Sequence, residues 1–313
     1  LIELITQNED VLYLPNLVDE LTVDRDMSGS PSTLSFKITK DDVVNIQEGN
    51  PVRVKVDGEK FFYGFVFNKK RSKDGIIEIT AYDQLRYLKN KDTITYTNKR
   101  ADEVITLIAD KFNLKVGELE NTKYLIVSRV EDNKTLMDMI DNALDLTLTN
   151  TKELYILYDD FGEIMLKNIN QMQVDELIDS ESGENFSYTT SIDNSYNQIK
   201  LIYEDSESGK SEVYITKDSD NINNWGVLQY FEKIEEQTNG KLKADSLLSL
   251  YNAKTRDLSL TNVKGILSVR GGSFIAIQLN LGDIILNEYM LVEKCKHKFK
   301  NNEHFMDLTL KGW

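Results

Sequence analysis

With 313 residues, 40% of them hydrophobic and 28% charged, the chain is long enough for two or three globular domains with a substantial core. Its 52 acidic and 37 basic side chains leave a formal charge of −15, which argues against stable nucleic-acid binding, since holding phosphates needs a basic surface. Cys295 is the only cysteine, so no intrachain disulfide can form, and no apolar run approaches the roughly 20 residues that span a bilayer, so no membrane insertion is expected.

The first ninety-odd residues read as strands. Val52-Arg53-Val54-Lys55-Val56 alternates apolar and polar side chains, as a half-buried strand does. Asp57-Gly58 then turns the chain into the aromatic and β-branched run from Phe61 to Phe67. Lys73-Asp74-Gly75 turns it again into Ile76–Tyr82. Two Asp-Gly turns between alternating runs predict a three-strand meander.

From about Asn98 the period changes. Val104, Ile105, Ile108 and Phe112 recur at helical spacing, and a second helix is predicted from about Lys134 to Leu148, with Asp132 or Asn133 as its cap. Strands at 154–158 and 163–166 follow, joined by a hairpin at Asp159-Asp160-Phe161-Gly162, which makes a compact α+β unit. Two polar loops, 179–183 and 205–209, are surface connections; the first lies near a domain boundary and the second joins strands 197–204 and 211–216. A third helix is predicted over 242–254, after which strands return.

The two ends of the chain repeat each other. Gly49 precedes Val52, Val54 and Val56 as Gly272 precedes Ile275, Ile277 and Leu279, and Tyr63-Gly64-Phe65-Val66 matches Tyr289-Met290-Leu291-Val292. The Asp74-Gly75 turn matches Asn301-Asn302, and Ile77, Ile79 and Ala81 match His304, Met306 and Leu308. Any two meanders share an alternation, but a nearly constant offset across three strands and two turns favours duplication of a barrel-like domain split by the α+β unit.

The motifs that would carry chemistry fail on context. Asp160-Phe161-Gly162 spells a kinase tripeptide without a glycine-rich loop or catalytic loop, and reads as a hairpin turn. Gly209-Lys210-Ser211 resembles the end of a phosphate loop, but Glu204 stands where its first glycine belongs. Asp218 and Asp220 open a calcium-like loop in which Asn223 replaces the turn glycine and Gln229 the closing carboxylate. The only histidines, His297 and His304, share one strand face with Cys295, Phe299, Met306 and Leu308, while Lys294, Lys296, Lys298 and Lys300 line the other. A Cys-His-His metal site is conceivable there, but the apolar neighbours favour a packed core face. No catalytic, cofactor-binding or metal residue is assigned, and no enzyme activity is expected.

Five segments carry a family resemblance: Phe62–Val66, Ala81-Tyr82-Asp83-Gln84-Leu85-Arg86-Tyr87-Leu88-Lys89-Asn90, Leu154–Gly162, Trp225–Gln229, and Leu291-Val292-Glu293-Lys294 with His297, His304 and Met306. Together, in order along nearly the whole chain, they resemble the central hub proteins of contractile phage tails and R-type bacteriocins, most closely those of defective prophages of Gram-positive bacteria. The resemblance implies a mainly β hub-type ring subunit: a first β-barrel-like domain at 1–95, an α+β domain at 96–190, and a second β-barrel-like domain with a helical insertion at 191–313. It implies a homotrimer that adapts a hexameric tail tube to a trimeric central spike, with other baseplate proteins around it and no cofactor. No signal peptide is visible, so assembly in the bacterial cytoplasm is expected, with the particle extracellular after lysis. A wall-hydrolase or receptor-binding module on a β scaffold is the alternative.

Overall fold

Asp57 and Gly58 both have positive φ, 51° and 86°, the geometry that joins two twisted strands in the tightest hairpin. They connect Pro51–Val56 to Glu59–Arg71, which leads through the second expected turn into Ile76–Tyr82. The computed structural model describes residues 2–27, 29–40, 43–179, 185–204, 210–234, 240–282 and 284–312. Within it the first meander is the one expected, antiparallel throughout, and Val52, Val54, Phe62, Val66, Ile79 and Ala81 are buried.

A second meander, Phe274–Asn280, Ile285–Lys300 and Glu303–Gly312, is built alike. Val52 faces Gly64 and Arg53 faces Tyr63; at the matching positions Ile275 faces Met290 and Ala276 faces Tyr289. The entry into each meander repeats bond for bond. Gly49 N–H donates to Val66 O (2.7 Å) and Val66 N–H to Asn50 O (2.9 Å), while Gly272 N–H donates to Val292 O and Val292 N–H to Ser273 O (2.8 Å each). Asn50 N–H reaches back to Gln47 O as Ser273 N–H does to Arg270 O, and both glycines sit at positive φ, 86° and 89°. Only the third strand departs from the expected correspondence. The turn at Asn301-Asn302 has two residues, both at positive φ, which puts Met306 opposite His297, whereas Ile77 lies opposite Arg71. Ile77 thus matches Met306 rather than His304, a slip of two residues that keeps the same face inward.

The chain divides into two compact units: Leu1–Ser187 with Leu258–Lys311, and Tyr188–Asp257. In the larger unit one continuous sheet carries both meanders. From Thr255–Lys264 it passes to Glu303–Gly312, Ile285–Lys300, Leu17–Asp24, Thr33–Thr39, Ile76–Tyr82, Glu59–Arg71, Pro51–Val56, Ile2–Asn8 and Val11–Tyr13. Phe274–Asn280 lies off this path, paired with Ile285–Lys300 and, in parallel, with Gln173–Asp179. Strand Asn185–Ser191 borders Thr255–Lys264 at the end of the path. The 16-residue strand Ile285–Lys300 takes Phe274–Asn280 along its first half and Leu17–Asp24 along its second, where Phe299 pairs with Leu21 inside the N-terminal core.

The α+β part of this unit packs helices Ala101–Phe112 and Leu136–Thr151 over the sheet of Tyr155–Asp160, Glu163–Asn168 and Val116–Leu119. Val104, Ile105, Ile108, Leu136, Met139 and Ile140 are buried, each stabilising the fold by about 1.5–3 kcal/mol relative to exposure. The second helix starts at Leu136, later than expected, because Asn133 sits at φ 51° where strand Ile126–Thr135 slips register. Its cap is therefore Thr135, in a reciprocal box with Asp138 (3.0 and 3.2 Å). The smaller unit has a three-strand sheet, Ser211–Lys217, Gln198–Glu204 and Gln229–Ile234, whose Ile199 and Leu201 pack with Ala244 of helix Gly240–Tyr251.

Gly64 gives a test of this packing. A Cβ there would lie 2.3 Å from Tyr82 O, inside the partner strand's backbone. Gly64→Ala is expected to cost about 1–3 kcal/mol, read as a lower urea midpoint; an unchanged midpoint would contradict the close approach.

Candidate functional site

The histidine face expected from the sequence forms, and it is a closed polar chain in an aromatic setting. His297 Nε2 lies 2.9 Å from Val269 O, and His297 Nδ1 lies 2.9 Å from His304 Nε2. A carbonyl only accepts, so His297 donates to it through Nε2; with both rings neutral, as burial favours, His297 Nδ1 accepts from His304 Nε2–H. Burial holds His297 well below the usual imidazole range and brings His304 down to about 4. Cys295 Sγ sits 3.2 Å from His297 Nε2, with its thiol pushed up by burial. Phe299 stacks on His304 with ring centroids 4.2 Å apart, and Phe61 meets His297 edge-on at 5.0 Å. Among the described residues no group of three or more His, Cys, Asp or Glu is placed to hold a metal.

Beside this face lies a buried ionic centre that sequence reading did not single out. Arg25, 8% exposed, donates to Phe61 O and to Leu267 O (3.4 Å), and its guanidinium covers the Phe61 ring at 3.9 Å. Arg270 lies over Tyr158 at 4.3 Å and donates to Asp159 O at 3.0 Å. Asp83, 1% exposed, accepts from Ser32 N–H (2.8 Å) and caps the 3-10 turn Gln84–Lys89 through Leu85 N–H (2.9 Å). Asp159 Oδ1 accepts from Gly162 N–H at 2.8 Å, while its Oδ2 is buried without a hydrogen-bond partner. Burial raises the carboxyls of Asp83 and Asp159, and the nearby Asp83 raises Asp159 further. Arg25, Ser32, Asp159 and Arg270 share the wall of a cavity of about 10 Å³, the size of a single water. The centre joins three parts of the sequence, the N-terminal strands, the hairpin of the α+β part and the loop before the second meander.

The motifs set aside on sequence have structural uses. Phe161 and Gly162 form a two-residue turn at φ 51° and 93°, with the Phe161 ring 5.8 Å from Tyr63. Asp218, at the start of the calcium-like segment, caps the short helix Ser219–Trp225; it accepts from Asp220 and Asn221 N–H (2.9 and 3.0 Å) and from the Asn252 amide (2.8 Å). Gly209 of the phosphate-loop fragment lies outside the described residues. The reading missed Arg25, Asp83 and Asp159 because an isolated Arg or Asp between strands looks like a surface residue. Only Asp83, followed by a short apolar turn, carried a local signal, that of a cap.

What the geometry offers outwardly is surface. Large apolar side chains stand exposed on strand Ile126–Thr135 (Val127, Val130), on strand Ser211–Lys217 (Val213, Ile215), at Phe186, and at Ile285 and Tyr289. No described helix is long and apolar enough to cross a membrane.

Residues 21–311 match the YQBQ-like family. The YqbQ protein of Bacillus subtilis (strain 168) is 29% identical over 310 residues, 95% of this chain and 93% of its own. The XkdQ protein of the phage-like element PBSX of the same organism is 29% identical over 274 residues, 85% and 82% of the two chains. Among solved structures, the 43 kDa tail protein of prophage MuSo2 from Shewanella oneidensis superimposes with a TM-score of 0.77 over 98% of both chains at 11% identity. The Escherichia coli c3393 protein, a type VI secretion component similar in structure to the bacteriophage T4 tail proteins gp27 and gp5, gives 0.61 over 99% of this chain and 76% of its own at 9% identity. At these identities the structural matches establish the fold.

Two measurements probe the polar centre. Raised carboxyls mean that the folded chain holds protons the unfolded chain releases, so this part of the stability is full below the ordinary carboxylate range and is lost as pH rises, for Asp159 up to about 8. The urea midpoint should fall from about pH 7 to about pH 8.5, and Asp159→Asn should flatten that fall; an equal slope in the variant would place the titrating group elsewhere. Elemental analysis of the purified protein should find no stoichiometric zinc or iron. Metal that disappears in His297→Ala would overturn the structural reading of the histidines.

Proposed function

This chain belongs to the YQBQ-like family, matched over residues 21–311, and from that premise we propose that it is the structural hub of a contractile-tail baseplate. The observation that carries the reading is the internal repeat: two meanders with one register and one set of entry bonds, joined in a single sheet. Three copies of a chain with two like units present six like units around an axis, and closed cyclic assembly is the ordinary outcome for identical subunits. Such a ring meets a hexameric tail tube on one side and a trimeric central spike on the other, with other baseplate proteins at its rim. The barrel–α+β–barrel division at 1–95, 96–190 and 191–313 belongs to this reading, the two outer parts being the ring-forming ones.

The role is one of assembly, not turnover. The polar groups of the buried centre are bonded mainly to backbone within the fold, and the outward features are apolar strands and edges. The PBSX phage-like element that contains the relative XkdQ, and the tail and secretion proteins that share the fold, support a tail particle as the setting. Assembly in the bacterial cytoplasm and release on lysis follow from it.

A reconstruction of the native tail tip is the test. Three copies at the junction of tube and spike, with both meanders in the ring, are expected; six copies or a peripheral position would defeat the hub. Peptidoglycan hydrolysis by the purified chain would decide for the wall-hydrolase alternative.

A further inference from the structure

The strand order of the long sheet contains the same block twice. Asn185–Ser191, Thr255–Lys264, Glu303–Gly312 and Ile285–Lys300 follow one another, and then Leu17–Asp24, Thr33–Thr39, Ile76–Tyr82 and Glu59–Arg71 repeat the pattern: an outer strand, a second strand, then the third and middle strands of a meander. Within the chain the blocks meet tail to head. The last strand of one, Ile285–Lys300, pairs antiparallel with the first strand of the other, Leu17–Asp24, at Lys296↔Asp24 to Phe299↔Leu21. Arg25 N–H to Cys295 O (2.8 Å) and Met27 N–H to Glu293 O (2.9 Å) extend this junction.

That leaves one head and one tail unpaired. The head is Asn185–Ser191, which borders only Thr255–Lys264 among the described residues. The tail is the far half of Glu59–Arg71. Its near half takes Pro51–Val56, but the carbonyls of Phe67 and Lys69, counterparts of Glu293 and Cys295 in the repeat, meet no strand on that edge among the described residues. The side chains agree with a missing neighbour. Leu21 and Val23 on the occupied head strand are fully buried, whereas Phe186 on the free one is 53% exposed. Asn185-Phe186-Ser187-Tyr188-Thr189-Thr190-Ser191 also carries no charge and no proline, the features that normally guard an edge strand.

We propose that strand Asn185–Ser191 of one copy pairs antiparallel with residues Phe67–Arg71 of a second copy of this chain, remaking between subunits the junction seen within each. A head-to-tail contact between identical chains forms a ring if its rotation closes, and the internal junction supplies that rotation already once per chain. The proposal rests on the hub reading for the number of copies.

Cysteine cross-linking in assembled tails tests it. Lys70→Cys is combined in turn with Ser187→Cys, Tyr188→Cys, Thr189→Cys or Thr190→Cys, four neighbours that cover both faces of the strand. At least one pair is expected to oxidise to a ladder ending at a covalent trimer, with Lys70→Cys alone giving none. Wild-type hydrogen exchange gives a second readout that needs no variant: amides in 67–71 and 185–191 should exchange at least about tenfold more slowly in the particle than in the free chain. Tails with three copies, no cross-link from any pair and unchanged exchange would overturn this interface and leave the hub standing. A copy number other than three would overturn both.

Discussion

The fold depends on one strand being long enough to serve two neighbours along the same edge. Ile285–Lys300 has 16 residues, about 53 Å of extended chain at about 3.3 Å per residue. Phe274–Asn280 uses its first half, and Leu17–Asp24 uses its second. Without the second pairing, the beginning and end of the chain would form separate sheets, and Phe299 would lose its place against Leu21 in the N-terminal core. The exposed ion pairs across this junction, Lys296–Asp24 at 3.8 Å and Lys300–Asp19 at 3.1 Å, fix register more than they add stability.

Much of this was legible in the sequence, and the parts that were not share a cause. Alternation in 52–56 and 76–82, with Asp-Gly between, determines a meander from local information alone. The repeat was visible because glycine, tyrosine and valine stand at matching places in both meanders. The capping of the second helix was misplaced because Asp132 and Asn133 are good caps taken singly, yet a register slip in the preceding strand occupies them. The pairing of Leu17–Asp24 with Lys296–Phe299 joins residues far apart in the chain, and no periodicity records such a choice. The buried centre was hidden for the same reason: Arg25, Asp83, Asp159 and Arg270 have meaning only once three distant segments meet.

That centre is costly to bury. Ionisable groups taken out of water stabilise a fold only when paired and hydrogen-bonded, and the Oδ2 atom of Asp159 is left over. Replacement by apolar residues would be tolerated on energetic grounds alone. What an apolar cluster would not supply is direction: Arg25 reaches the Phe61 and Leu267 carbonyls, Arg270 the Asp159 carbonyl, and Asp83 the Ser32 and Leu85 amides. Apart from the local Asp83–Leu85 cap, each bond ties one segment to the backbone of another, so the α+β hairpin is oriented against the two meanders rather than merely attached.

The two repeats differ most where their neighbours differ. In the second, the carbonyl of Val269 accepts from neutral His297, deep beneath the strand that crosses it. In the first, the matching carbonyl of Ile46 accepts from the Lys69 ammonium at 2.6 Å. A histidine suits the covered position because it can donate a hydrogen bond without charge, and the burial that lowers its pKa enforces the neutral form. In the first repeat the group is a lysine, with polar and acidic partners around its amino group. Lys69 has Ile46 O, Gln47 Oε1 at 3.2 Å and Glu48 at 3.6 Å around its ammonium, and only 10% of its side chain is exposed. It is already compensated for the loss of water that a strand laid over this edge would bring. One carbonyl, present in both repeats, is thus capped by a neutral group where the neighbouring strand comes from the same chain, and by a lysine with an acidic partner where no strand meets the edge among the described residues.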